Sequence, residues 1–121
     1  MRFSVRLEQS SLKRGATGAL LLRLSPQKGI HINTVPPIAF TLDKSPGIAL
    51  TGKLRYATVT VDTSVYIDTS ETIRQSFTVA PSVNPGQQVL KGTLTYFYCS
   101  DAEGWCSKFK QPVEITMRVL K

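Results

Sequence analysis

The chain predicts an all-β fold, a single-domain antiparallel sandwich, and three observations carry that expectation. Apolar and polar residues alternate with period two in several short runs, as half-buried strands require. Clusters of Gly, Pro, Asn, Asp and Ser separate those runs about every 8–12 residues. No window of about eleven or more residues shows the 3.6-residue apolar repeat of an amphipathic helix.

At 121 residues, with 41% apolar residues, the chain is long enough for one domain with one two-layer core. The longest apolar run, Ala19–Leu22, stops at Arg23, well short of the roughly 20 residues of a membrane-spanning helix. The N-terminus alternates instead of offering the apolar core of a signal peptide. Met1 leads straight into a strand, as expected where a start codon precedes an excised domain. Fifteen basic and 8 acidic residues leave a net charge of +7. The charges are scattered singly and no aromatic-basic motif accompanies them, so nucleic acid is not an expected partner. Within 57–73 the balance reverses. That stretch lacks Lys and Arg and carries Asp62, Asp68 and Glu71.

In chain order, RFSVRLE (2–8) places Phe3, Val5 and Leu7 on one face, and 10–18 reads as a turn. GALLLRLS (18–25) turns Leu20, Leu22 and Leu24 inward and Arg23 outward. Pro26, Gly29, Pro36 and Pro37 confine IHINTV to a short edge segment. Short strands follow at 38–43 and 48–54 around a KSPG turn, and 56–70 predicts a strand ending in a loop. In 71–80, Ile73, Phe77 and Val79 share a side, and PSVNPG turns the chain. Residues 89–99 place Leu90, Leu94, Tyr96 and Tyr98 on one face, with Thr93, Thr95, Phe97 and Cys99 on the other. Val113, Ile115, Met117 and Val119 point inward on the last strand, which Pro112 begins. About seven to nine strands in this arrangement match an immunoglobulin-like sandwich.

Residues 89–119 hold the only two cysteines, Cys99 and Cys106, at the base of a polar hairpin loop, CSDAEGWC. That arrangement puts two sulfurs within bonding reach at one end of a sheet. One reading is a disulfide that only staples the fold. A closed loop of about eight residues removes roughly 2.5 kcal/mol of unfolded-state entropy, less than a long-range bridge would. The other reading is a redox pair, since Cys99 lies on the face opposite Leu94, Tyr96 and Tyr98, away from the core. Lys108 and Lys110 follow Cys106, whereas Asp101 and Glu103 follow Cys99. Cations favour a thiolate and anions disfavour it, so Cys106 is the expected attacking sulfur and Cys99 the resolving one. With His31 the cysteines make at most three metal ligands, at a spacing unlike a zinc pair, so no metal or cofactor is expected. No Gly-x-Ser-x-Gly elbow or carboxylate pair signals hydrolysis, and no small-molecule substrate is expected. Phe97 and Trp105 are the aromatics expected to face a protein partner.

The run GTLTYFYCSDAEGWCSKFKQPVEI resembles the cysteine hairpin of the N-terminal periplasmic domain of DsbD-type thiol:disulfide interchange proteins. KGIHINTVPP is similar to that family's early strand, and DTSVYIDTSETIRQSFTV to its cap region and the strand after it. The resemblance implies an immunoglobulin-like thiol-disulfide oxidoreductase domain in the periplasm, joined in some proteins to a membrane-embedded electron-donor domain. It implies that electrons pass on to thioredoxin-fold partners, including those of disulfide isomerisation and cytochrome c maturation. The mixed disulfide would form on Cys106. A cap over the pair would comprise Asp62–Asp68, with Val65 or Tyr66 as the shielding side chain. Separately, carboxylates of the acidic stretch near the thiolate, Asp62 among them, are expected to raise the Cys106 pKa. Two features depart from the family pattern: the inter-cysteine loop is one residue longer, and the cap phenylalanine is replaced.

Overall fold

The computed structural model describes residues 2–43 and 47–121. The expected KSPG turn falls mostly on 44–46, outside the described residues. Alternation produces two main sheets. In the first, β1 (Arg2–Leu7), β3 (Thr17–Ser25), β9 (Ile73–Val79) and β6 (Ile48–Arg55) lie in the order β1-β3-β9-β6. The second is built on the long hairpin of β10 (Gly86–Ser100) and β11 (Cys106–Leu120). Its outer neighbours are β2 (Ser11–Lys13) beside β11, and β4 (Ile30–Ile32) and β5 (Ala39–Leu42) beside β10. Read as immunoglobulin strands, the first sheet is A-B-E-D and the second G-F-C, with C split into β4 and β5. The protein is an all-β sandwich.

The inward faces are those the alternation marks. Leu20, Leu22, Leu24, Ile73, Phe77 and Val79 from the first sheet meet Leu90, Leu94, Tyr96, Val113, Met117 and Val119 from the second, all buried. Gln75 shares the inward side of β9 and is 3% exposed. Its Nε2 donates to the carbonyls of Thr51, Gly52 and Ser76, which satisfies the amide without breaking the core.

Three elements differ from the expectation. Pro112 does not begin the last strand: β11 starts at Cys106, and Pro112 lies within it opposite Thr93. There β2, paired only with Arg118–Leu120, leaves the outer edge uncovered among the described residues, and the missing N–H breaks no ladder bond. Residues 10–18 are not wholly a turn: Ser11–Lys13 form β2, which runs parallel to β11, the one parallel pairing among the described residues. The first strand crosses between sheets there, and three residues with a single buried side chain, Leu12, are too few to display a period. The stretch 56–70 is a hairpin of two strands, β7 (Thr58–Val61) and β8 (Ser64–Ile67), inserted between the D- and E-type strands. Asp62 opens its two-residue turn at φ 57°, the left-handed region that Asp tolerates better than most residues. Both strands are largely exposed, so neither has the one-sided burial that makes alternation visible.

Arg74 on β9 reaches across β3 to Glu8 and donates to both carboxylate oxygens. That hydrogen bond, aided by the charges of Arg74 and Arg6, holds the Glu8 carboxyl below its ordinary value of 4.5. A depressed folded pKa gives stability that is present above the ordinary value and lost as pH falls through the folded one. The pair is at the surface, so the effect is small and screened by salt. Glu8→Gln is therefore expected to flatten the acid limb of stability below about pH 4.5, and 1 M salt should shrink the difference from wild type. An acid limb identical in the two proteins at low salt would contradict this.

Candidate functional site: a cross-strand disulfide at the open end of the sheet

β10 and β11 pair without interruption from Gly86↔Val119 to Cys99↔Cys106, so the register itself brings the two cysteines together. The Ser100 N–H donates to the Trp105 carbonyl, which makes Cys99↔Cys106 the neighbouring non-hydrogen-bonded pair. Side chains are closest at such pairs. The Cα atoms are 4.0 Å apart and the sulfurs form a disulfide. The turn beyond is closed by the Gly104 N–H on the Ser100 carbonyl, with Gly104 at φ 70°, where a side chain would be strained. The Glu103 N–H donates to Ser100 Oγ.

The site is best described as two adjacent rungs on the outer face of the second sheet. Partners across a ladder project to the same side. Cys99 pairs with His31 on β4 as well as with Cys106, so the first rung is Cys106, Cys99, His31. In the second rung, Phe97 faces Lys108, the Asn33 N–H donates to the Phe97 carbonyl, and Asn33 bridges Tyr66 on β8. The rungs are locked to each other. Asn33 Nδ2 donates to Cys99 Sγ at 3.1 Å. The Tyr66 ring stacks on the His31 imidazole at 4.4 Å between centroids. His31 Nδ1 lies 2.9 Å from the Asp101 carboxylate. The Lys108 ammonium lies over the Phe97 ring, 5.9 Å from its centre. Cys106 is exposed, whereas Cys99 and Asn33 are half-buried.

Of the residues singled out from the sequence, Cys99, Cys106, Phe97 and Tyr66 share this face. Val65 is exposed on β8, its carbonyl accepting from Thr34 Oγ1 at 3.0 Å. Asp62 occupies the exposed hairpin tip. Asp68 of the acidic stretch accepts from the Ser70 N–H and hydroxyl and closes its own turn. The carboxylate tied into the rungs is Asp101, through His31. Trp105 is not beside Phe97. It lies on the opposite face, edge-on to Tyr98 at 5.6 Å, with Nε1 donating to Glu103. There Tyr98, Trp105, Phe109, Gln27, Ile30 and Gln111 line an open cleft of about 390 Å³, with buried Tyr96 at its floor. Burial, with a smaller contribution from Tyr98, pushes the Tyr96 phenol above its ordinary value.

Asn33 was not visible as a site residue. The available signal was the alternation in IHIN, which sends Ile30 and Ile32 inward and His31 and Asn33 outward, two polar side chains on one edge face. Among the described residues, no three His, Cys, Asp or Glu side chains gather as metal ligands. Compared with known proteins, the chain matches no protein-family model and no curated sequence.

Proposed function

We propose that the protein is a thiol–disulfide exchange module of an oxidising, periplasm-like compartment, passing electrons from a membrane-embedded reductase domain to thioredoxin-fold partners. One observation carries this reading: the disulfide is presented at the end of a β-hairpin with Cys106 exposed and Cys99 half-buried beneath an N–H donor. An asymmetric pair of that kind has an entry sulfur and a leaving sulfur. The hairpin's resemblance to the cysteine hairpin of DsbD-type proteins supports the same partners.

The chemistry balances as two exchanges. A donor thiolate attacks Cys106 Sγ, the intramolecular bond breaks, and its electron pair leaves on Cys99 Sγ. The donor's second thiolate then attacks the donor sulfur of the mixed disulfide and releases Cys106. The donor dithiol ends as a disulfide; Cys99 and Cys106 gain two electrons and take up the two thiol protons. Delivery to an acceptor disulfide is the reverse, entered through Cys106.

A relay must stay folded in both states, and magnitudes favour this. The short loop makes the bridge worth roughly 2.5 kcal/mol, against about 5–15 kcal/mol for a typical domain. Reduction is expected to lower Tm by roughly 10 °C without loss of the cooperative transition. The deciding measurement is the reduction potential. A value in the range of about −120 to −270 mV fits exchange with thioredoxin-fold proteins; one below about −300 mV marks a structural disulfide and overturns the proposal. The second reading is a non-catalytic binding sandwich, favoured by the open aromatic cleft on the other face. It predicts the low potential.

A further inference from the structure

We infer that Asn33 is the positioning residue that holds Cys99 as a thiolate, both when it leaves and when it resolves the mixed disulfide. The inference rests on the exchange reading above. It starts from the contact of Asn33 Nδ2 with Cys99 Sγ at 3.1 Å. A disulfide sulfur is a weak acceptor and gains little from an amide N–H. A thiolate carries a full charge and gains much more, because hydrogen bonds to ionised groups are roughly twice as strong as neutral ones. A donor whose contribution grows as charge develops lowers the barrier to making that charge, as an oxyanion hole does.

Three features hold the donor ready. Asn33 is set in register by its backbone N–H on the Phe97 carbonyl, at 2.7 Å. Its side chain projects on the same face as Cys99, one rung away. Its far side is closed by the bridge to Tyr66, whose ring packs flat on His31. Among the described residues no amide donates to Cys106 Sγ, and Cys106 is the exposed member of the pair. The site is thus polarised: charge is stabilised at Cys99, and attack is directed to Cys106. The sulfur pair is therefore not symmetric in its chemistry although it is symmetric in its register.

Among the described residues, the other charged or titratable side chains on the two rungs and in the adjoining turn are His31 on β4, Tyr66 on β8, Lys108 on β11 and Asp101, and all four are retained when Asn33 is substituted. In a Cys106→Ser background, Cys99 is a free thiol whose pKa can be followed by thiolate ultraviolet absorbance. Adding Asn33→Leu, similar in volume but without the donor, is expected to raise that pKa by about one unit. Asn33→Asp, which places a carboxylate at the sulfur, is expected to raise it further. In the two-cysteine protein, Asn33→Leu should slow reduction by a thioredoxin-fold dithiol about tenfold, with the mixed disulfide still on Cys106. Should Asn33→Leu fail to fold, Asn33→Asp carries the test. An unchanged Cys99 pKa in the folded variants overturns the role of Asn33. The titration needs no partner, so it remains decisive even if wild-type protein exchanges with none, an outcome that would instead defeat the exchange reading.

Discussion

Cys99→Ser protein is expected to accumulate a stable mixed disulfide with an oxidised thioredoxin-fold partner, whereas Cys106→Ser protein yields roughly tenfold less or lower. The difference corresponds to about 1.4 kcal/mol in barrier height or more. In Cys99→Ser, the remaining thiol is the exposed sulfur at the start of β11. It can align with a partner disulfide, and nothing is left to resolve the product. In Cys106→Ser, the remaining thiol is half-buried between two strands and under the Asn33 amide. A partner sulfur must approach it past the β4 edge, where His31 and Tyr66 stack. Both variants are expected to show no exchange turnover, because the two proposed steps need two sulfurs. Tryptic mapping of the adduct identifies the linked sulfur. Equal adduct from both variants, or adduct mainly through Cys99, would contradict the assigned polarity.

The largest expected effect on stability lies away from the site. Phe77→Ala should cost about 3–5 kcal/mol, the usual range for deleting a buried ring. For a chain of this size that lowers Tm by roughly 10–20 °C. Phe77 is fully buried in β9, between β3 and β6. Its ring occupies space left by its register partner Gly18, where an added Cβ would stand 2.9 Å from Phe77 Cζ and 2.4 Å from Leu12 Cδ1. Gly18→Ala alone is accordingly expected to destabilise by about 1–3 kcal/mol through overpacking. Because the two positions compete for one volume, the double variant should be less unstable than the sum of the singles. Denaturant unfolding of the four proteins provides the cycle, and strict additivity would show that the ring and the missing Cβ are not coupled. The same comparison explains why the cysteine variants are safe reagents. Losing the bridge costs less than losing this one side chain.

The proposed exchange rests on the difference in exposure between Cys106 and Cys99 and on the Asn33 contact with Cys99. Tyr66 joins Phe97 as an aromatic on the cysteine face, held there by its stack on His31. The hairpin of β7 and β8 is anchored by buried Ile67 and by the Asp68 N–H on the Ala57 carbonyl. Its exposed Val59, Val61 and Val65 leave the outer end thinly packed.

Local pattern marked most of the strands and the inward faces of the core strands, but not β2, the division of 56–70 into β7 and β8, or the start of β11. Period two is a property of a single strand, and burial on one face writes it into the residues. Hence Leu20, Phe77, Leu94 and Met117 were legible as core, and Cys99 as facing away from it. The Cys99–Cys106 pairing was legible too, because one hairpin joins them. What only the tertiary structure decided is who stands beside whom across strands distant in the chain. His31 and Asn33 reach the cysteine rung through a pairing of β4 with β10 that spans about seventy residues. Tyr66 arrives from an inserted hairpin with no one-sided burial to announce it, and Trp105 departs to the other face. Cross-strand neighbours follow from how two sheets close over a core, and no period within a single strand records that.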